Sequence, residues 1–218
     1  MKDAERRRGR PRAYDPDLAL ARARDVFWDV GFAASSLDAL GEAMAMNRPS
    51  LYHAFGDKER LYLTTLERYR DQSLAAMREA LDPGRPLADG LRTVYARSIA
   101  IYLAGDKGAR GCFLIGTAAT ESVGSPGVRR ILGDSLRAFD QVLEERFRIA
   151  RKRGEIDERA DPALLARLAS AVMHSLAVRA RAGDKRDVLE GIAEAGLRMI
   201  IPSPRPSPAR KRDRGIRG

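Results

Sequence analysis

Apolar side chains recur every three or four residues along most of the chain between its two ends. This spacing is typical of amphipathic helices that bury one face. Between residues 17 and 31 the apolar positions share one side of a helix: Leu20, Ala23, Phe27 and Val30. Gly31 then favours the end of that helix. No segment shows the sustained two-residue alternation of a strand, so the pattern predicts an all-α fold.

Capping residues and prolines divide this pattern into successive helices. Ser35, with Asp38 three residues later, resembles a capping box and predicts the start of a second helix. Asn47 and Pro49 predict the start of a third, because asparagine caps helices and proline fits the first turn. A fourth helix is predicted from Lys58 to Leu81. Further helices are predicted over residues 86–104, 111–122, 125–154, 161–183 and 185–201.

The second and third predicted helices are short and are joined by only a few residues, which is the arrangement of a helix-turn-helix. Leu51 and Phe55 share the apolar side of the third helix and can pack inward. In a helix-turn-helix the second helix enters the major groove of DNA. We therefore expect an N-terminal three-helix DNA-binding domain over residues 15–65.

The outer side of the third helix carries residue types that suit DNA. Arg48 can bind guanine O6 and N7, Ser50 can donate or accept a hydrogen bond, and Pro49 can contact a thymine methyl group. Three further residues are suited to contact phosphate oxygens: Tyr52, His53 and Lys58. Such contacts fix the position of the protein on the duplex and do not read its sequence. A helical hairpin with an ordinary solvated face is the alternative that spacing alone leaves open.

Most of the net charge of +10 lies at the two ends of the chain. Residues 1–14 carry six basic and two acidic side chains, and residues 202–218 carry six basic and one acidic. Arg8 and Arg10 belong to an extended basic arm that could lie in an A·T-rich minor groove. Residues 202–218 are rich in proline and arginine and are predicted to be a disordered basic tail.

Other classes of function find little support in the sequence. Two histidines and one cysteine leave few options for metal sites or for cysteine and histidine catalysis, and no phosphate-binding glycine loop occurs. We therefore expect neither an enzyme nor a bound metal or cofactor.

The sequence contains no run of 18 apolar residues, so no membrane span is predicted. A single cysteine fits the reducing cytoplasm. A non-specific architectural DNA-binding protein that acts through its basic tails is the second hypothesis.

The segment FWDVGFAASSLDALGEAMAMNRPSLYHAFGDKERLY, residues 27–62, resembles the DNA-binding region of the TetR family of transcriptional repressors. The matching features are Phe27 with Gly31-Phe32, the Ser35-Ser36 pair, Leu51-Tyr52 with Phe55, Asp57-Lys58-Glu59, and Leu61. The resemblance covers roughly 50 residues. Beyond Leu66 it extends to the all-helical layout and to the short motifs RGCFLIG and RGEID. The Pro/Arg-rich C-terminal tail departs from most relatives.

The resemblance implies a larger helical domain over residues 66–201 that binds a small-molecule effector and forms a homodimer on a palindromic double-stranded DNA operator. The full predicted DNA-binding set is Arg8, Arg10, Ser35, Ser36, Asn47, Arg48, Pro49, Ser50, Tyr52, His53 and Lys58. The dimer is expected to use apolar stripes that can also face the core: Leu164, Leu168, Val172 and Leu176, with Val188, Ile192, Leu197 and Ile201. Neither the effector nor the operator can be read from the sequence.

The remaining chemistry concerns the candidate pocket. Its aromatic candidates, which could equally be core residues, are Tyr95, Tyr102, Phe113 and Phe139. Cys112 follows Arg110, and a nearby cation can lower the pKa of a thiol and make it reactive. Two hypotheses stand for Cys112: a thiol that senses oxidants or electrophiles, and an inert buried cysteine.

Overall fold

The computed structural model describes residues 14–105 and 108–201, and within them it is helical and contains no strand. The all-α prediction is therefore confirmed. In chain order the elements are α1 (Pro16–Ala34), α2 (Leu37–Met44), α3 (Arg48–Phe55), α4 (Lys58–Ala80), α5 (Leu87–Leu103), a π-helical turn (Leu114–Ala118), α6 (Ala119–Glu121), α7 (Pro126–Lys152), α8 (Pro162–Arg181) and α9 (Arg186–Ile200).

Helix α1 begins and breaks where its sequence requires. The Asp15 carboxylate accepts hydrogen bonds from the backbone N–H groups of Asp17 and Leu18, and Pro16 occupies the first turn. Gly31 interrupts the helix with φ 81° and ψ 169°, a conformation that glycine adopts without a steric penalty. The one-turn remainder of α1 leads to α2.

The start of α2 differs from the prediction by one residue. Ser36, and not Ser35, caps the helix, because its hydroxyl accepts a hydrogen bond from Ala39 N–H at 3.0 Å. Ser35 is 3% exposed and donates to the Phe32 carbonyl at 2.7 Å. The predicted capping box at Ser35 is therefore wrong. Ser35 instead fixes the chain between the break in α1 and the start of α2.

The turn between α2 and α3 is closed by backbone hydrogen bonds. Met46 N–H donates to the Gly41 carbonyl at 2.8 Å, while Ala45 takes the left-handed conformation at φ 53°. Asn47 caps α3 as predicted, by accepting a hydrogen bond from Ser50 N–H at 2.9 Å. The turn therefore sets the angle at which α3 leaves α2.

Helix α4 connects the three N-terminal helices with the rest of the molecule. Leu61, Tyr62 and Leu66 are fully buried near its start, and Met77 and Ala80 are buried near its end. Its first half packs against α1, and its length brings it against α5 and α7. One continuous helix therefore spans both predicted domains.

Helices α8 and α9 pack side by side and cover α5 and α7. Helix α8 is long and apolar enough to cross a membrane by length and composition, although no run of 18 apolar residues was found in the sequence. Core helices of globular proteins can meet the same criteria, and Leu176 and Ala180 of α8 are fully buried in this fold. On its opposite side Leu164, Leu168 and Val178 are exposed, so α8 is apolar on two faces.

We expect Gly41→Ala to destabilise the N-terminal helices. A Cβ at Gly41 would lie 2.8 Å from the Met46 carbonyl oxygen, which belongs to backbone and cannot move without opening the turn. A net loss of about 1–2 kcal/mol in the free energy of unfolding is expected, after the gain in helix propensity. Urea unfolding followed by circular dichroism measures it.

Gly133→Ala is the matched control, because a Cβ there would meet only the flexible end of the Arg137 side chain, at 3.4 Å. This variant should unfold at the same or a slightly higher urea concentration than the wild type. Equal stability of the two variants would contradict the close approach at Gly41.

Candidate nucleic-acid interface and ligand cavity

Helix α3 presents a polar surface because Leu51 and the half-buried Phe55 pack on its other side, where the Phe55 ring lies 6.0 Å from that of Tyr14. Leu51 is fully buried, whereas Pro49, Ser50, Tyr52 and His53 are exposed. Tyr52 is 48% exposed, which is unusual for an aromatic ring. All four predicted residues therefore lie at the surface on this short helix.

Arg48, the first residue of α3, is not free. Its Nε donates to Asp38 Oδ1 at 2.8 Å, and its Nη2 donates to Asp38 Oδ2 at 2.7 Å. Both side chains are mostly exposed to solvent. The hydrogen bond and charge of Arg48 lower the pKa of the Asp38 carboxyl, which stays ionised at neutral pH. Helical periodicity gives no signal for this contact, because the two residues lie ten apart in sequence on two different helices.

Three predicted DNA-binding residues have structural roles. The side-chain oxygens of Ser36 and Asn47 already accept helix-capping hydrogen bonds, although both residues are exposed. Ser35 is buried, so its hydroxyl is not available to a phosphate in this structure. The DNA contacts of Ser35, Ser36 and Asn47 all stay predictions.

Lys58 is half-buried at the start of α4, and its ammonium group lies over the Phe32 ring, 4.5 Å from the centroid. This cation–π contact holds the side chain next to α1. Arg8 and Arg10 fall outside the described residues, as does the predicted basic tail at 202–218.

A cavity lies between α4, α5, α7, α8 and the π-helical turn. The space inside it is about 70 Å³. Most of its walls are apolar, and none of the described residues that line it carries a carboxylate. The lining residues are Tyr69, Ser73, Ala76, Met77, Val94, Arg97, Ser98, Ile101, Tyr102, Cys112, Leu114, Ile115, Leu132, Ser135, Leu136, Phe139, Met173 and His174. Of the four aromatic candidates from the sequence, Tyr102 and Phe139 line this cavity, whereas Tyr95 and Phe113 do not.

The tyrosine, cysteine and histidine side chains of the cavity wall are uncharged near neutral pH. Burial raises the pKa of Tyr69, Tyr102 and Cys112, and burial lowers the pKa of His174. Among the described residues of the lining Arg97 is the one cation, and its guanidinium is paired with Glu79 at 2.9 Å. The wall therefore offers hydroxyl, thiol and imidazole groups without net charge.

Of the two hypotheses for Cys112, its environment favours the inert buried cysteine. The pKa of its thiol is raised by burial, and Tyr69 Oη lies 3.7 Å from its Sγ. The nearby cation, Arg110, is directed toward α1 instead. The expectation that Arg110 activates the thiol is therefore wrong, although Cys112 does line the cavity.

Arg110 joins the segment before the π-helical turn to α1. Its Nη1 lies 3.2 Å from Asp25 Oδ1 and 3.5 Å from Asp29 Oδ1, and its guanidinium stacks over the Trp28 ring at 4.5 Å. In return, Trp28 Nε1–H donates to the Arg110 carbonyl at 3.2 Å. Ion pairs, ring stacking and a hydrogen bond therefore hold the segment at Arg110 against α1 at several points.

An aromatic cluster continues this junction into the core. Phe113 is fully buried and its ring contacts those of Trp28, Tyr62 and Tyr69, with centroids 5.6, 6.0 and 5.6 Å away. Tyr69 also lines the cavity. The cavity wall and the N-terminal helices are therefore in direct packing contact.

The apolar stripes predicted for a dimer divide between core and surface. Leu176 and Leu197 are buried, whereas Leu164, Leu168, Val178, Val188 and Met199 are between 45% and 83% exposed. The exposed stripe of α8 thus includes Val178 and not Leu176. Within the described residues no group of three histidine, cysteine or carboxylate side chains could hold a metal ion.

Two family models match the chain. The model described as bacterial regulatory proteins, tetR family, matches residues 19–65, and the model described as tetracyclin repressor-like, C-terminal domain, matches residues 89–195. The HTH-type transcriptional repressor ComR of Escherichia coli K12 is 30% identical over 192 residues, which cover 88% of this chain and 91% of ComR. The uncharacterized HTH-type regulator YezE of Bacillus subtilis is 25% identical over 88% of this chain and 99% of YezE.

Solved structures show the same architecture. A cysteine mutant of the TetR family regulator CifR, complexed with 26-bp double-strand operator DNA, is 36% identical, with a TM-score of 0.77 over 87% of this chain and 98% of that chain. Reduced E. coli NemR, at 20% identity, shares the fold with a TM-score of 0.75 over 87% of this chain and 98% of that chain.

Proposed function

The chain belongs to the TetR family of transcriptional regulators, with its DNA-binding helix-turn-helix, and from that premise we propose that it is a repressor whose operator affinity falls when a small molecule occupies the cavity. In this proposal residues 15–65 bind DNA and residues 66–201 bind the effector and form a homodimer. ComR, a relative over most of its length, is named a repressor, which supports this direction of control.

The observation that carries the proposal is the outer surface of α3. Pro49, Ser50, Tyr52 and His53 are exposed together on a helix fixed by buried Leu51. In a helix-turn-helix this helix enters the major groove. CifR, which is 36% identical, is complexed with operator DNA in its structure, and this supports DNA binding by the present chain. Tyr52 and His53 are proposed to bind phosphate oxygens, and Pro49 and Ser50 to contact base edges.

A homodimer is proposed because α8 and α9 leave apolar side chains in solvent. Leu164, Leu168 and Val178 on α8, and Val188 and Met199 on α9, are all exposed. Contiguous apolar surface of this kind marks protein–protein contacts. Pairing α8 and α9 with the same helices of a second copy would bury these residues in a four-helix contact. Two copies of α3 would then read a palindrome.

The cavity is proposed to take an uncharged, mainly apolar effector that carries a hydroxyl or carbonyl group. Burial of an unpaired charge is strongly unfavourable, and the described residues of the lining hold no free counter-charge, because Arg97 is paired with Glu79. Tyr102, Cys112 and His174 can instead form hydrogen bonds with a neutral polar group. The chemistry of the wall thus favours one class of ligand.

The coupling between the cavity and α3 is proposed to run through the segment at Arg110 and through α4. Cys112 and Leu114 line the cavity, and Arg110, two residues before Cys112, holds Asp25 and Trp28 of α1. A ligand that displaces this segment would shift α1 and alter the spacing of the two α3 helices. Such a ligand lowers operator affinity by its preference for the shifted state.

Selection of bound DNA from a random library, at about physiological salt, is expected to enrich a palindrome. Its half-sites should lie about one helical turn or a multiple apart, because two α3 helices enter the groove from one side. Deletion of residues 1–12 and 202–218 should weaken binding and preserve the motif, since basic ends contribute mainly sequence-independent affinity. DNA recovered without a shared motif would instead support an architectural protein acting through its tails.

Leu168→Arg is expected to convert a dimer into a monomer. The side chain is 47% exposed, so the fold tolerates the change, while a charge in the paired α8–α9 surface has no partner. Sedimentation equilibrium measures the mass. Val123→Arg is the matched control, because Val123 is 81% exposed outside this surface and its variant should stay dimeric. A dimeric Leu168→Arg variant would contradict the proposed interface.

A panel of matched alcohols, carboxylates and amines on the same apolar skeletons tests the effector class. Uncharged members are expected to raise the melting temperature, to weaken operator binding and to change the fluorescence of Trp28, the only tryptophan in the sequence. Ala76→Phe, at the rim of the cavity, should abolish these responses and preserve operator binding. A consistent preference for carboxylates would show that Arg97 leaves Glu79, and would contradict the proposed class.

Cys112→Ser tests the sensing hypothesis in the same assay. Since burial raises the pKa of the thiol, the wild type is expected to react slowly with a soluble electrophile such as iodoacetamide. Release of DNA by that electrophile from the wild type, and not from Cys112→Ser, would support a sensing thiol despite its burial. Equal behaviour of the two proteins would leave Cys112 as part of the cavity wall.

A further inference from the structure

Asp38 lies next to the proposed DNA-reading surface without being part of α3. It is in the first turn of α2, and both of its carboxylate oxygens bind the guanidinium of Arg48, at 2.8 and 2.7 Å. Exposed ion pairs of this kind contribute little to folding stability, because both charges stay solvated. A role in stability therefore does not account for this two-point contact.

The geometry of the contact leaves part of Arg48 available. Asp38 occupies one edge of the guanidinium, formed by Nε and Nη2. Within the described residues Nη1 makes no hydrogen bond, so one of its N–H groups and the second N–H of Nη2 form an open fork. Two parallel bonds to one carboxylate also fix the plane of the guanidinium. Arg48 is thus oriented before it meets any partner.

We propose that Asp38 is a positioning residue for base recognition, holding Arg48 by one edge so that its open fork binds guanine O6 and N7 in each half-site. This inference rests on the proposed function, because it requires α3 to enter the major groove. An oriented arginine loses less conformational freedom on binding than a mobile one. Two-point binding to guanine is also the arginine contact that distinguishes guanine from other bases.

The carboxylate adds discrimination in a second way. A negative charge beside Arg48 opposes phosphate oxygens, so it disfavours a bound state in which Arg48 contacts only the backbone. Without Asp38, the arginine could bind phosphate equally well on any sequence. Asp38 is therefore expected to raise specificity while lowering affinity for DNA of unrelated sequence.

The test compares the full-length wild type with Arg48→Ala, Asp38→Asn and Asp17→Asn. Operator DNA is first selected from a random library, and binding is then measured for operators with each base at every position, and for unrelated DNA. Arg48→Ala should lose a guanine preference of roughly tenfold at one position of each half-site. Asp38→Asn should lower that preference about threefold or more and strengthen binding to unrelated DNA, with the other positions unchanged.

Asp17→Asn is the matched control. Asp17 pairs with Arg68 at 2.6 Å between α1 and α4, so its variant removes the same charge from another exposed ion pair. It should retain the guanine preference. Thermal unfolding of all four proteins should give similar midpoints, because the substituted residues are exposed.

Three outcomes would overturn the inference. An unchanged guanine preference in Asp38→Asn would show that Asp38 does not affect base recognition. Tighter and more selective operator binding by that variant would show that Asp38 competes with the operator for Arg48. A guanine preference that survives in Arg48→Ala would remove Arg48 from base recognition. In each case a palindrome selected by the wild type would leave the proposed function intact, whereas a wild type that selects no motif would contradict both.

Discussion

The packing of Phe113 against three aromatic rings is the contact on which the organisation of this protein depends. Trp28 comes from α1, and Tyr62 and Tyr69 from α4, so a single buried side chain joins the helix-turn-helix to the larger bundle. Aromatic rings pack at defined angles and bury large areas, which makes such a cluster stiff. Arg110 strengthens the same junction from outside by contacting Trp28, Asp25 and Asp29. The two halves of the molecule therefore cannot move independently at this point.

The position of the cavity follows from this junction. Cys112 and Leu114, the residues on either side of Phe113, line the cavity, and Tyr69 belongs to both cluster and cavity. The π-helical turn that begins at Leu114 lies directly beside them. Such turns are a less stable backbone form than the α-helix and are frequent at functional sites. The cavity wall and the aromatic junction with α1 are thus formed by adjacent residues, without a long chain of contacts between them.

Neutral and charged side chains occupy different parts of the molecule. The cavity wall contains groups kept neutral by burial, while the ion pairs lie mostly on surfaces, including that between Asp38 and Arg48. A neutral interior favours apolar ligands, and an exposed arginine held in one orientation favours a base edge. The exposed apolar face of α8 and α9 is a third surface with its own chemistry. The described part of the chain thus has three chemically different features: a cavity with neutral polar groups, an exposed arginine ion pair and an exposed apolar face.

The sequence by itself determined the all-α fold and the order of the helices, because three- and four-residue apolar spacing and capping residues act locally. Asn47, Pro49 and Gly31 marked helix boundaries correctly for this reason. It also placed Pro49, Ser50, Tyr52 and His53 on an exposed face, since helical periodicity alone separates them from buried Leu51.

Only the tertiary structure decided which of two neighbouring serines caps α2 and which carboxylate binds the guanidinium of Arg48. It also decided that Arg110 pairs with Asp25 of α1 instead of lying against the Cys112 thiol. It also decided which apolar residues of α8 face the core, because that helix is apolar on two sides. In each of these cases the deciding partner lies on another helix or segment. Hydrogen bonds, ion pairs and burial between segments depend on the folded arrangement, which periodicity along a single helix does not encode.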